Sequence, residues 1–339
     1  MADVKDGDIQ RVKGADAGIR LDRWLKANYP ALPHGLMQKL LRTGQVRVNG
    51  GRVKPDTRLD AGDEVKVRRL ADFEPQTPGS RDRPSPTPPM GVSKVDRNFI
   101  ESLILFEDGE LLVLNKPYGI AVQGGTKTRK HIDGMLAGME DRFGGRPRLV
   151  HRLDRDTSGV LLVAKTHAVA SRLGRLFQTR SVQKIYWALT KGVPKPPQGK
   201  IEAALVKASG PEGDRVRKAM AGEQDTAQSA ITHYSVIDRV STKFAWVSLR
   251  PVTGRQHQLR AHLAIIGTPI VGDQKYEGDK NLSVDGLEMK LHLHARRLIV
   301  PRGRAETLDV TAPLPDHMLT SWELLGLDPE RYEGKDAHR

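Results

Sequence analysis

The sequence predicts an α+β chain in which a small basic module precedes a larger domain built on a mixed, mainly antiparallel sheet. Three observations predict it. Segments with period-two apolar alternation and segments with helical spacing are interspersed along the chain, without the regular strand–helix repeat of a doubly wound fold. A proline-rich stretch divides the chain into unequal parts. Positive charge is denser in the smaller part: residues 1–70 hold fifteen Lys or Arg against nine Asp or Glu, a net of +6, while the other 269 residues supply +8 of the total +14.

Residues 1–17 read as a flexible N-terminus, and residues 18–73 as the basic α/β module. In the module, Leu21, Trp24 and Leu25 have helical spacing, as do Leu36, Met37, Leu40 and Leu41, with Gly44 placed to end the second helix. QVRVNGGRV and DEVKVRR then alternate as short strands around Asn49-Gly50, a tight-turn signal. Arg20, Arg23, Lys39, Arg42, Arg47 and Arg52 decorate the helices and the hairpin. A one-signed excess in so small a module is the electrostatic footprint of a polyanion-binding surface, although charge on a helix is usually no more than a solvated face.

Residues 74–94 form the divide, and 74–91 alone hold six of the 21 prolines. Proline removes backbone donors and favours extended chain, so a semi-rigid linker is expected, the alternative being an ordered arm on the surface. The larger domain, residues 95–327, carries apparent strands in LLVLNKP, GVLLVAK, KIYWALTKG, FAWVSLRPVTG and LHLHARRLIV. Apparent helices lie in MLAGMEDRF, HAVASRLGRLFQTR and RQHQLRAHLAIIG. Residues 328–339 read as a polar, frayed tail.

Composition excludes several chemistries. The absence of cysteine rules out disulfides, thiolate metal sites and cysteine nucleophiles, and suits a reducing compartment. No apolar run approaches the roughly 18 residues of a membrane span, and the first residues are charged where a signal peptide is apolar, so a cytoplasmic protein without a membrane partner is expected. Glycine-rich phosphate and dinucleotide loops are missing, as are HExxH and GxSxG. His257 and His262 are five apart and fall on different helix faces. His292 and His294 alternate on a strand without a nearby carboxylate, so packing or RNA contact is expected of them rather than metal. No cofactor and no metal are expected.

The densest chemical segment is LVHRLDRDTSGVLLVAK, residues 149–165. Asp154 lies between Arg152 and Arg155, before Asp156 and the turn-forming Thr157-Ser158-Gly159. A carboxylate beside guanidinium groups is held ionised and serves as a nucleophile rather than an acid. A solvated loop ion pair explains the charge pattern equally well, and spacing does not choose between Asp154 and Asp156, which are two apart and would face the same way on extended chain.

Motif resemblance separates them. HRLDRDTSG resembles the signature of the RluA family of pseudouridine synthases, and more narrowly the RluC/RluD type that modifies large-subunit ribosomal RNA. In that signature the catalytic aspartate follows Arg-Leu, which is Asp154 here. LVLNKPYGIAVQGG (112–125), KIYWAL (184–189) and PVTGRQHQLRAHL (251–263) resemble three further family motifs in the family's order. The basic module, through RLDRWL and GQVRVNG, resembles the RNA-binding domain first named for the fourth protein of the small ribosomal subunit, also called the alpha-L motif. Together the likenesses cover nearly the whole chain. Two departures stand out: Gln123 replaces a histidine common in relatives, and the linker is longer and richer in proline.

The resemblance implies a fold and a set of roles. The larger domain becomes a pseudouridine synthase domain, the partner RNA, and the working unit a monomer. Asp154 is the catalytic carboxylate, Arg260 its two-pronged salt-bridge partner, and Tyr186 the aromatic over the detached uracil and the candidate to take the C5 proton. Arg152 would fill the gap left by an extruded uridine, with Arg255 and His151 beside it as substrate contacts. The Lys116-Pro117 pair is expected to shape a turn. Three rivals stand against this reading: a non-catalytic RNA-binding assembly factor, a glycoside hydrolase using Asp154 and Asp156, and an RNA methyltransferase. The last lacks the glycine-rich cofactor turn, and the second lacks aromatic sugar platforms at 5% aromatic content.

Overall fold

The computed structural model describes residues 8–29, 32, 34–67, 94–124, 130–208, 215–276, 286–303 and 306–332. The chain separates into two compact units, Met1–Ser85 and Pro86–Arg339. All but the last residue of the expected linker 74–94 lies outside the described residues.

In the first unit, β1 (Asp8–Arg11) is followed by α1 (Leu21–Asn28), α2 (His34–Arg42), β2 (Val46–Val48), β3 (Gly51–Arg52) and β4 (Glu64–Val67). The strands form one sheet in the order β1-β4-β2-β3. Leu21, Trp24 and Leu25 of α1 and Met37, Leu40 and Leu41 of α2 are buried with Val46, Leu59, Val65 and Val67, so the helical stripes pack on the inner face of the sheet. Asn49 and Gly50 both take positive φ, 49° and 78°, as a hairpin turn matching strand twist requires. The expected flexible stretch 1–17 is corrected from Asp8 onward. Residues 8–11 pair antiparallel with β4, Arg11 bonds Glu64 at 2.7 Å, and Val12 is buried. A backbone ladder holds this strand although its sequence carries little apolar pattern.

The second unit begins with α3 (Lys94–Ser102), β5 (Ile104–Glu107), β6 (Leu111–Lys116), α4 (Ile132–Leu136), α5 (Glu140–Phe143), β7 (Arg148–Leu149), β8 (Ser158–Ala164) and α6 (His167–Gln178). It continues with β9 (Gln183–Lys191), β10 (Gln198–Ala208), β11 (Arg215–Lys218), β12 (Gln228–Val240) and β13 (Phe244–Pro251). The last elements are α7 (Gln258–Ile265), β14 (Leu293–Pro301), β15 (Thr307–Thr311) and α8 (Asp316–Leu324). The sheet order is β11-β10-β12-β13-β9-β14-β8-β6-β5, with β15 on β14 and β7 on β8. Only the β14–β8 pairing is parallel among the described strands, so the sheet is mixed and mainly antiparallel, as the sequence predicts.

Both faces of the sheet are covered along its central strands. On β8, Leu161 and Val163 pack toward α3 and α4, whereas Val160 and Leu162 pack toward α6. Along β9, Ile185, Trp187 and Leu189 join Trp246 and Trp322 under α8, while Tyr186 and Ala188 point to the α7 side. The expected tail is corrected at its start, because Glu330–Tyr332 form a short 3-10 turn and the Tyr332 ring stands edge-on to Trp246 at 5.2 Å. No helix among the described residues is long and apolar enough to cross a membrane.

Candidate active site

Asp154 stands on the turn between β7 and β8. Its carbonyl accepts the Thr157 N–H at 3.2 Å, Leu153 is buried beneath it, and its own side chain keeps 22% exposure. The carboxylate is therefore reachable from solvent but fixed in a frame. Lys116 holds that frame. Wholly buried at the end of β6, its ammonium donates to the carbonyls of Pro117 (2.8 Å), Ile120 (2.7 Å) and Arg155 (2.9 Å). Burial pushes Lys116 down to about 7, while Asp156 and Asp154 pull the other way. The Arg155 guanidinium in turn donates to Gly119 O at 3.0 Å. The turn expected at Lys116-Pro117 is present, and its lysine ties it to the Asp154 loop.

The loop hands over to β8 through Gly159, at φ +108°. A Cβ here would lie 2.2 Å from the Ala295 carbonyl oxygen, so glycine alone lets β8 run beside β14. Ser158 Oγ lies 2.9 Å from His294 Nδ1 and seals the same junction.

Tyr186 enters from β9, between Leu249 of β13 and Ala295 of β14. Burial, reinforced by the Asp154 charge, raises its phenol well above the usual tyrosine range, so the resting side chain is a neutral hydroxyl. Arg260 enters from the first turn of α7. That turn is pinned by Gln258, whose Oε1 accepts from Thr253 Oγ1 (2.7 Å) and Arg255 N–H (3.0 Å), and whose Nε2 donates to Ile231 O (2.9 Å) and Thr232 Oγ1 (3.0 Å). The residue just before, His257, is forced to φ 50°, ψ 21°.

Asp154, Tyr186 and Arg260 all line one cleft of about 800 Å³, together with Arg152, Arg255 and His257. The two-pronged bridge expected between Arg260 and Asp154 is not formed. The Arg260 fork closes on Asp273, Nε to Oδ2 at 2.8 Å and Nη2 to Oδ1 at 2.6 Å. A wholly buried carboxylate needs a partner more than one open to the cleft does, and it takes the fork. Asp154 is left with the Arg260 charge nearby and with His257 Nε2 at 3.9 Å from Oδ2.

The remaining predicted residues divide. Arg152 is exposed at the cleft, and Arg255 is exposed with Nε donating to Ser229 O at 3.2 Å. His151 lines the same cleft, where its Nε2 accepts the Leu162 N–H at 2.8 Å and its ring stacks on Phe177 at 4.9 Å, so it also braces the loop. Burial pushes it down to about 3, which keeps it neutral. His292 and His294 are packing residues, bonded to Ser321 (2.7 Å) and Ser158 (2.9 Å) respectively. Among the described residues no group of three or more His, Cys, Asp or Glu is arranged to hold a metal ion. In the first unit Arg23, Lys39, Arg42 and Arg52 are exposed. Arg20 lies on Asp22 at 2.7 Å, and Arg47 donates to Gly50 O at 3.1 Å.

Sequence reasoning missed Asp273, His257 as a neighbour of Asp154, and Tyr276. The Tyr276 hydroxyl lies 3.1 Å from His257 Nδ1, and the Arg260 guanidinium carbon sits 5.2 Å from its ring centroid. The only signal was the aspartate thirteen residues after Arg260, and spacing across a turn does not announce a contact.

Comparison with known proteins bears on this cleft. The profile of the RNA pseudouridylate synthase family matches residues 110–265, and that of the S4 domain matches residues 19–65. The ribosomal large subunit pseudouridine synthase C of Haemophilus ducreyi is 35% identical, over 90% of this chain and 91% of its own. Its namesake in Escherichia coli O157:H7 is also 35% identical, over 91% and 93%. RNA pseudouridine synthase 4, mitochondrial, of Arabidopsis thaliana is 33% identical over 95% and 82%. Among solved structures, human RNA Pseudouridylate Synthase Domain Containing 4 is similar with a TM-score of 0.58 at 34% identity, covering 69% of this chain and 98% of that one.

Proposed function

We propose that this chain, which belongs to the RNA pseudouridylate synthase family, isomerises selected uridines of large-subunit ribosomal RNA with Asp154 as its catalytic carboxylate. The observation that carries the reading is the convergence of Asp154, Tyr186 and Arg260, from a loop, a strand and a helix, on one cleft with exposed arginines at it. The names of the Haemophilus and Escherichia relatives support the large-subunit substrate.

The reaction breaks C1′–N1 and forms C1′–C5, while C5 loses a proton and N1 gains one, so no atom is added or lost overall. A paired uridine must first leave its stack, which costs a few kcal/mol and favours an unpaired target. Arg152, exposed beside Asp154, is placed to fill the space it vacates. In the route we favour, the Asp154 carboxylate takes the C2′ proton as the C1′–N1 bonding pair departs with uracil. The base rotates, C5 adds to C1′, and the proton returns to C2′. Tyr186, neutral at rest, lies against the base. It accepts the C5 proton as its own hydroxyl proton passes to the Asp154 carboxylate, from which it is delivered to N1.

The exposed Arg23, Lys39, Arg42 and Arg52 of the first unit supply sequence-independent grip on RNA phosphates. We assign the protein to the cytoplasm as a monomer, acting without metal or cofactor, and place the domain limits at residues 18–73 and 95–327. Mapping pseudouridines across total RNA from cells with and without this protein tests the reading. The sites lost on deletion are expected in large-subunit ribosomal RNA; losses confined to transfer RNA would contradict it.

A further inference from the structure

His257 is held in an unusual state. It occupies the left-handed backbone region that β-carbon side chains rarely adopt, immediately before α7. The four hydrogen bonds of Gln258 over-determine that turn, and a strained backbone maintained this way marks a position where orientation matters. The result is an imidazole lodged between two groups, with Nδ1 3.1 Å from the Tyr276 hydroxyl and Nε2 3.9 Å from Asp154 Oδ2. Its side chain is only 9% exposed.

The hydrogen-bond chain favours one ring nitrogen as the carrier of the proton. The Tyr276 oxygen already accepts the Val216 N–H at 2.8 Å. A hydroxyl has one proton to give, and the one toward His257 satisfies both groups. Burial pushes the phenol up to about 12, so it keeps that proton, and burial lowers His257 as well, so the ring is neutral. A neutral ring that accepts at Nδ1 carries its hydrogen on Nε2, the atom facing Asp154. The titratable and charged groups acting on the ring are Asp154 from the β7–β8 loop, Arg260 from α7, and Asp273, Lys275 and Tyr276 from the segment after it.

The geometry points to His257 as a positioning residue for Asp154, with Tyr276 setting its tautomer so that an Nε2–H donor faces the carboxylate. At 3.9 Å the donor stands just outside hydrogen-bond range, and the bond closes when a nucleoside enters the cleft and presses the carboxylate back. A neutral donor suits this role, since it orients the carboxylate without the standing positive charge that would weaken it as a base. This inference rests on the reading of Asp154 as the catalytic carboxylate.

The test uses the full-length protein and an in vitro transcript of large-subunit ribosomal RNA tritiated at uracil C5, with tritium release as the readout. His257→Ala is expected to lower kcat by about 10- to 100-fold, as loss of sub-ångström positioning does, with KM within about threefold and the melting temperature near wild type. His257→Gln, which keeps an N–H donor, should retain clearly more activity than the alanine variant. Tyr276→Phe should also lose kcat, and it should have little further effect in the His257→Gln background, where no ring tautomer remains to be set; a merely structural tyrosine costs the same in both backgrounds. If His257→Ala does not fold, the glutamine and phenylalanine variants carry the test. Wild-type kcat in His257→Ala beside a silent Asp154→Asn would overturn this inference and leave the Asp154 reading intact. Equal losses in His257→Ala and His257→Gln, or a Tyr276→Phe deficit of the same size in the wild-type and His257→Gln backgrounds, would also overturn it. Activity in Asp154→Asn would remove the reading beneath it.

Discussion

Arg260 and Asp273 form a two-pronged ion pair inside the protein, with the guanidinium side chain 6% and the carboxylate 0% exposed. The pair fixes the first turn of α7 against the segment that follows the helix, and it parks a positive charge near Asp154 without bonding to it. Removing one member strands the other in a dry site, which typically costs about 3–5 kcal/mol. Asp273→Asn should therefore lower unfolding free energy in urea by more than about 2 kcal/mol. Glu64→Gln, which breaks the exposed Arg11 pair, should cost less than about 1 kcal/mol. Equal costs would show that the buried pair does not organise the site.

Stability should fall with acid before the carboxylates titrate. Burial pushes His151 and His294 down to about 3, and His262 and His292 to about 4. Unfolding returns each ring to the ordinary histidine range near about 6.5. The folded values are depressed, so the unfolded chain binds more protons between those limits. Stability is full above about pH 6.5 and lost as pH falls toward about 4. Melting curves should shift steadily downward from pH 7 to 5, with proton uptake on unfolding at pH 5; a flat melting temperature over that window would contradict the burial of these rings.

Gly159 is a further point of leverage. A methyl group added there meets the Ala295 carbonyl at 2.2 Å, and the backbone at φ +108° is strained for any side chain. Gly159→Ala should push β8 off β14, displace the Asp154 loop, and cost about 1–3 kcal/mol. Its kcat should fall more than its RNA affinity. Wild-type melting and turnover would show that the parallel junction does not set the loop.

Replacing Arg23, Lys39, Arg42 and Arg52 together by Gln should weaken RNA binding and flatten its salt dependence by about 3 units of log K per log salt, if each contacts a phosphate. Filter-binding titrations across salt concentrations measure that slope. An unchanged slope would take the RNA-gripping role from the first unit.

How much of this was legible from sequence follows from burial. Leu111–Lys116, Ser158–Ala164 and Gln183–Lys191 are buried on both faces for most of their length, and they read as strands because each carries an unbroken apolar run, LLVL, VLLVA and IYWAL. Gln198–Ala208 and Gln228–Val240 expose one side for much of their length, so polar residues interrupt the pattern and neither strand stands out. The convergence of Asp154, Tyr186 and Arg260 was legible only through motif resemblance, because they are contributed by three elements distant in sequence. The choice Arg260 makes between two aspartates was not legible, since it depends on which carboxylate is sealed from water. His257 was hidden for another reason: a left-handed backbone at a helix start has no apolar pattern to betray it.

The role of Asp154 is read at the chemical step itself by tritium release from uracil-C5-labelled large-subunit transcript, with purified Asp154→Asn beside wild-type protein at matched RNA occupancy. The substitution preserves shape and removes the charge. Wild-type protein should release tritium, and the variant none above background while binding RNA within about a few-fold of wild type. Release by the variant at the wild-type rate would show that the chemistry is carried by another group.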